Sequence, residues 1–232
     1  EDILIITPSD HIIDGKETYE TAIKEAVEKA KQGHIVTFGI VPTKPETGYG
    51  YIERKGDDVI SFREKPNQVS ARDYIAKGNF LWNSGMFCFK AGVLLDELKA
   101  FAPEVYAKSK LVWDANTNGK LDLNLSLDIP SISIDYAVME RSKKIKVVSA
   151  SFSWSDLGSF ESVYDYLVSI GHPVDENGNK VKGTDTYTAF IGVKDTIFVY
   201  TPTANLILKK ECSQDVKSLY SKLEIKNSPL LD

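Results

Sequence analysis

Four consecutive large aliphatic residues, Ile3-Leu4-Ile5-Ile6, stop at Thr7-Pro8-Ser9-Asp10, and a second apolar run follows at Ile35-Val36-Thr37-Phe38-Gly39-Ile40. Between them Tyr19, Ile23, Ala26, Val27 and Ala30 recur at helical spacing, with Gly33 placed to end that helix. Strand, helix, strand is the β-α-β unit of an α/β fold, and it implies that the two strands pair in parallel. The chain has 232 residues, 42% of them hydrophobic, which is enough for one sizeable core and a small appendage.

Further along, Tyr51-Ile52-Glu53-Arg54 and Val59-Ile60-Ser61-Phe62, joined by Lys55-Gly56-Asp57-Asp58, read as a hairpin laid over the sheet. Helices are expected near Val69 to Lys77 and Val93 to Phe101, with a strand through Gly85-Met86-Phe87-Cys88-Phe89. The stretch Trp113 to Leu127, rich in Asn, Asp and Gly, reads as a solvated loop. A helix beginning near Ser133 turns Ile134, Ala137 and Val138 inward, and Ile145 to Ser149 returns the chain to the sheet. After Ser155-Asp156 a helix carries Phe160, Val163, Tyr164 and Leu167 on one face. From His172 onward short β-prone pieces, Thr196–Tyr200 and Ala204–Leu208, lead to a closing helix from about Ser213 to Leu223. The change of texture divides the chain into 1–170 and a β-rich 171–232.

Asp10 and Asp156 each close an apolar run, where an open α/β sheet presents its carboxyl edge and binds ligands. Between them lie Thr47-Gly48-Tyr49-Gly50-Tyr51, Phe62-Arg63-Glu64-Lys65-Pro66 and Asn83-Ser84-Gly85-Met86-Phe87. A crevice built from these gathers anionic oxygens, one lysine and neutral hydrogen-bonding groups, an inventory suited to a divalent metal with a phosphorylated sugar. Each residue also has a plainer use. Asp10 and Asp156 are well suited to capping or opening the helices that follow them. Lys65 alone is a surface lysine, Gly48 and Gly50 make a hairpin turn, and Asn83 is a loop former before Gly85. Pro66 is expected to keep Lys65 extended. Glu64 and Lys65 would then point to opposite faces, unless a twist or bulge intervenes.

The net charge of −5, with no basic stripe, argues against a nucleic-acid partner. There is no run near membrane-spanning length, and Cys88 and Cys212 show neither metal-ligand spacing nor a disulfide framework. A reducing cytoplasm is the simplest compartment.

Six strings in order carry a resemblance: Thr7-Pro8-Ser9-Asp10-His11, Gly48-Tyr49-Gly50, Phe62-Arg63-Glu64-Lys65-Pro66, Trp82-Asn83-Ser84-Gly85-Met86-Phe87, Ser133-Ile134-Asp135-Tyr136-Ala137-Val138-Met139-Glu140 and Trp154-Ser155-Asp156-Leu157-Gly158-Ser159. Asp175-Glu176-Asn177-Gly178-Asn179 and Gln214-Asp215-Val216-Lys217 extend it across nearly the whole chain. The set resembles mannose-1-phosphate guanylyltransferases of the bacterial type, often fused to a mannose-6-phosphate isomerase domain. The resemblance implies a Rossmann-like nucleotidyltransferase mixed sheet flanked by helices, with a small C-terminal β-helix-like subdomain. It implies that GTP and mannose 1-phosphate give GDP-mannose and pyrophosphate. In that family pattern Asp10 and Asp156 are the Mg²⁺ ligands. Lys65 meets the sugar phosphate; Glu64, Asn83, Gly48, Tyr49 and Gly50 meet the sugar.

The family opens with a strand and a glycine-rich loop bearing arginine and lysine, whereas no G-x-G-x-x-G string occurs in these residues. The expectation is that this segment precedes Glu1, that the isomerase domain lies outside the sequence, and that the chain alone turns over little or nothing. Other readings keep their place: a glucose 1-phosphate enzyme using UTP or dTTP, a non-catalytic sugar-phosphate-binding subunit, and a homodimer as the assembly.

Overall fold

The computed structural model describes residues 2–116 and 119–231. In chain order the elements are β1 (Ile3–Ile6), β2 (Ile12–Asp14), α1 (Lys16–Lys31), β3 (Ile35–Ile40), β4 (Tyr51–Lys55), β5 (Asp58–Arg63), α2 (Gln68–Lys77), β6 (Phe80–Lys90), α3 (Ala91–Phe101), α4 (Pro103–Asp114) and α5 (Leu123–Leu127). A π-helical turn at Asp135–Met139 precedes β7 (Ile145–Ser149) and β8 (Ser153–Ser155). Then come α6 (Phe160–Ser169), β9 (Lys180–Lys182), β10 (Thr196–Tyr200), β11 (Asn205–Lys209), a 3₁₀ turn at Lys210–Asp215 and α7 (Val216–Ile225). Contacts divide the chain into two compact units, one formed by residues up to Ser9 with Ile13–Trp154, the other by Asp10–Ile12 with the residues from Ser155 onward.

The first unit is built on a six-stranded sheet in the order β1-β6-β3-β7-β5-β4. The expected direct pairing of β1 with β3 does not occur. β6 lies between them and runs antiparallel to both, with Ile5 opposite Cys88 on one edge and Val36 opposite Cys88 on the other. The parallel partner of β3 is β7, in register from Ile35 opposite Ile145 to Gly39 opposite Ser149. The β4–β5 hairpin is part of this sheet and not a cover over it, since β4 pairs β6 at Tyr51–Trp82 and β5 meets β7 at Asp58–Lys146.

Alternation along the strands sends side chains to two cores. Val36, Phe38, Met86, Cys88 and Val148 face α1, which meets them along Ala22, Ala26 and Ala30, small residues that let helix and sheet approach closely. Ile35, Ile52, Leu81, Phe87, Phe89, Ile145 and Val147 form the opposite core, covered by Val93, Leu94 and Leu98 of α3 and by Ala137, Val138 and Met139 of the π turn. Fully buried side chains such as Phe38 each contribute about 1.5–3 kcal/mol.

The stretch expected to be a loop from Trp113 to Leu127 is helical at both ends. α4 opens on Pro103 at its first position and runs through Asp114, and α5 is capped by the Asp122 carboxylate accepting from the Leu125 N–H at 2.9 Å. Residues 117 and 118 lie outside the described residues.

In the second unit β10 pairs antiparallel with β11 and parallel with β9. Its core is Tyr164, Ile197 and Leu208 with Phe160, Val199, Leu206 and Val216 around them. α6 starts on a capping box in which the Ser159 hydroxyl accepts from the Ser162 N–H and the Ser162 hydroxyl accepts from the Ser159 N–H. Because α6 packs here, the contact boundary falls at Ser155, upstream of the change in sequence texture near residue 170. Among the described residues no helix is long and apolar enough to cross a membrane.

Candidate functional site

The polar string Asn83-Ser84-Gly85 does not form a loop. It lies inside β6, where Asn83 pairs with Gly39 of β3 and Gly85 turns to φ 72°. The β3–β6 register shifts here, Thr37 pairing with Phe87 and Gly39 with Asn83, so the extra residues of the bulge belong to β6, and the Asn83 N–H donates to the Gly50 carbonyl at 2.8 Å. The Asn83 side chain is thereby set beside Gly50 of the Gly48–Gly50 turn.

That turn is organised by Glu46, a residue that carries no motif of its own in the sequence. Its carboxylate accepts from the Gly48 N–H at 3.0 Å and its carbonyl accepts from the buried Tyr51 hydroxyl at 2.9 Å. Neither Gly48 nor Gly50 has positive φ, so glycine is not required at Gly50 for backbone freedom. It is required for space. A Cβ there would sit 2.5 Å from Glu64 Oε2 and 3.4 Å from Asn83 Cβ, so backbone, carboxylate and amide converge on one spot. Tyr49 is set edge-on against Trp82 and Trp154, with ring centroids 5.2 and 5.3 Å away.

Glu64 and Lys65 leave the end of β5 in a bend, and here the expectation of an extended Lys65 fails. Lys65 has φ 45°, a left-handed conformation that costs a residue with a Cβ roughly 1–2 kcal/mol. Through that turn the Lys65 ammonium meets Glu64 Oε1 at 3.1 Å, and the two side chains share a side instead of opposing one another. Glu64 is 9% exposed and Lys65 61%, so the carboxylate forms the floor and the ammonium the rim. Burial raises the Glu64 carboxyl above its ordinary value against the pull of Lys65, and neighbouring Asp135 and Glu140 add to the rise.

Asp135 and Glu140 come from the π turn. Its wide i to i+5 hydrogen bond, from the Glu140 N–H to the Asp135 carbonyl at 3.0 Å, brings both residues to the site. Asp135 accepts from the Asn83 amide nitrogen at 3.2 Å, and Glu140 accepts from the Glu64 N–H at 3.4 Å. Burial likewise raises the Asp135 carboxyl. A turn of ordinary α-helix was expected here, and nothing in Asp135–Met139 advertises the wider winding.

Within the first unit the structure therefore gathers Gly50, Glu64, Lys65 and Asn83, with Gly48 and Tyr49 on the adjoining turn, and adds Thr37, Glu46, Asp135 and Glu140. Asp10 and Asp156 both fall in the second unit. Asp10 is exposed two residues before β2, and Asp156 is half-buried immediately after β8; these two strands pair with each other. Asp156 Oδ1 accepts from the Gly158 N–H at 3.0 Å. Among the described residues no group of three or more His, Cys, Asp or Glu is arranged to hold a metal ion. Two carboxylates alone suit an ion such as Mg²⁺ that keeps several waters and takes substrate phosphate oxygens for the rest of its shell.

A family model described as nucleotidyl transferase matches residues 1–171, and one described as a MannoseP isomerase/GMP-like beta-helix domain matches 173–223. The mannose-1-phosphate guanylyltransferase of Salmonella montevideo is 37% identical over 256 residues, covering 97% of this chain and 53% of the relative. A solved structure described as mannose-1-phosphate geranyltransferase from Thermus thermophilus superposes with a TM-score of 0.79 at 27% identity, covering 96% of this chain and 70% of its own. Another, of mannose-6-phosphate isomerase from Helicobacter pylori, reaches 0.65 at 43% identity over 67% of this chain and 65% of its own. The chain spans about half the length of the curated relatives it matches. The expected mixed sheet flanked by helices and the β-helix-like tail are both met.

Proposed function

The chain belongs to the nucleotidyl transferase family, and we propose that it takes mannose 1-phosphate and GTP to GDP-mannose and pyrophosphate in the cytoplasm. The observation that carries this reading is the rim-and-floor arrangement of Lys65 over Glu64 beside the Asn83 amide, a cation for a phosphate next to paired donor and acceptor for sugar hydroxyls. The mannose and guanine assignments are supported by relatives whose names carry them. The free state of both cysteines fits a reducing compartment.

On this reading Lys65 binds the phosphate and aims one of its oxygens at the α-phosphorus of the nucleotide. Glu64 and Asn83 fix the hexose, and the Gly50 backbone lets it approach. Such transfer needs no covalent enzyme intermediate and depends on positioning and charge neutralisation. Asp10 and Asp156 would hold Mg²⁺, which when bound would offset phosphate charge.

Calorimetric titration of the chain with mannose 1-phosphate and glucose 1-phosphate tests the sugar half. We expect mannose 1-phosphate to bind more tightly and Lys65→Met to weaken it about tenfold, the low end for a charge-assisted contact because Lys65 is mostly exposed. Equal binding of the two sugars, or a Lys65→Met variant that binds as well as the parent, would remove the reading. Nucleotide-sugar formation with GTP, UTP and dTTP, with and without Mg²⁺, by the chain joined to the family's strand and glycine-rich loop then separates the enzyme from a binding subunit. Asp10→Asn and Asp156→Asn should each abolish the metal-dependent part.

A further inference from the structure

The Asn83 amide is hydrogen-bonded on both its ends. Its oxygen accepts from the Thr37 hydroxyl at 2.8 Å and from the Gly85 N–H at 3.3 Å, and its nitrogen donates to Asp135 Oδ1 at 3.2 Å. Only one orientation of the amide satisfies these neighbours. The Gly85 N–H can only donate and an ionised Asp135 carboxylate can only accept, so turning the amide over would set donor against donor and acceptor against acceptor. An amide carries two acceptor lone pairs and two N–H donors. Here both acceptor positions are filled and one N–H remains.

We propose that Asp135 and Thr37 are positioning residues that lock Asn83 as a pure hydrogen-bond donor, so that the site accepts a ligand hydroxyl which receives from Asn83 and donates to Glu64. The two groups are neighbours across Gly50, where a single Cβ position lies 2.5 Å from Glu64 Oε2 and 3.4 Å from Asn83 Cβ. A carboxylate that only accepts and an amide that only donates select a group able to do both, which a hydroxyl is and an ether or a fluorine is not. Thr37 is fully buried on β3 opposite the β6 bulge, and Asp135 reaches Asn83 from the π turn, so the lock is made by two separate elements before any ligand arrives. The hydroxyl assignment rests on the sugar-phosphate reading above; the locked amide does not.

Two measurements separate these parts. In the ligand-free chain, the Asn83 side-chain NH₂ signals are identified by ¹⁵N NMR from their loss in Asn83→Asp. Asp135→Leu and Thr37→Val should each move that pair, and Thr37→Ser should leave it in place. Signals that stay put in Asp135→Leu, in a variant whose circular dichroism matches the parent, would overturn the lock. The four monodeoxy analogues of mannose 1-phosphate are then titrated by calorimetry. One of them should bind the parent at least tenfold more weakly than mannose 1-phosphate, and Asp135→Leu should shrink that gap below threefold while the loss caused by Lys65→Met is unchanged. A gap that persists undiminished in Asp135→Leu overturns the positioning role. A parent chain that binds no hexose 1-phosphate overturns the hydroxyl assignment together with the proposed function, and the NMR result still decides the lock.

Discussion

Gly50→Ala is the sharpest perturbation the site allows. The new methyl would lie 2.5 Å from Glu64 Oε2, so the carboxylate must withdraw by about 1 Å to reach ordinary contact. It has little room to do so. The Glu64 side chain is 9% exposed, and its other oxygen is held by Lys65 at 3.1 Å. Two effects oppose each other. Alanine restricts the unfolded chain and, because Gly50 is not left-handed, fits the native backbone, a gain of about 0.4–1 kcal/mol. Overpacking at a filled position costs roughly 1–3 kcal/mol. The second should win, giving a net loss of about 1–2 kcal/mol and, in a chain of this size, a melting point lower by about 2–8 °C. If Glu64 holds the hexose as proposed, displacing its carboxylate by that distance should also lower mannose 1-phosphate affinity by up to about 100-fold. Calorimetric melting and ligand titration read the two effects separately. A variant that melts and binds like the parent would show that Glu64 is not confined at Gly50, and the convergence argued for the site would be wrong.

Tyr51→Phe should cost about 0.5–1.5 kcal/mol in urea unfolding, because the buried hydroxyl donates to the Glu46 carbonyl and that bond is lost; an unchanged midpoint would argue against that bond. Ser159→Ala should destabilise the second unit by about 1 kcal/mol through loss of the α6 cap, read as a lower thermal midpoint of that unit. Burial raises both Glu64 and Asp135, so the fold favours their neutral forms: the stability they lend is present below about pH 4 and is lost as pH rises through their shifted values. Glu64→Gln and Asp135→Asn, which stay neutral, should therefore gain stability relative to the parent between about pH 4 and about pH 7.5. Urea midpoints at the two pH values check this, and a constant difference would contradict it.

The elements that were legible in the sequence are those whose pattern is local. Tyr19, Ile23, Ala26 and Ala30 announce α1, and Ile35–Ile40 and Ile145–Ser149 announce their strands, because burial of a repeating face is written at fixed spacing. Strand order is not local. Nothing in β1 or β3 records that β6, far along the chain from both, will separate them. Asn83-Ser84-Gly85 reads as a loop by composition and lies within a strand, at its bulge, a conflict between local and global preference of the kind expected where residues serve a ligand. The resemblance named Glu64, Lys65 and Asn83. It did not name Thr37 or Glu46, whose roles arise from a bulge and a turn, and it carried Asp135 only within a motif string, since the contact of Asp135 with Asn83 depends on the π turn.

The position of β6 also governs how the chain can fold. β1 takes its partner from Phe87–Lys90, and β3 waits for Ile145–Ser149 to complete its second edge. Most of this sheet is therefore assembled from contacts distant in sequence, which places the unit among slow folders. Leu4, Ile5 and Ile6 of β1 are 40–47% exposed in the structure. During synthesis they emerge well before their partner strand, so dilute, cold refolding should recover more native chain than rapid refolding at high concentration.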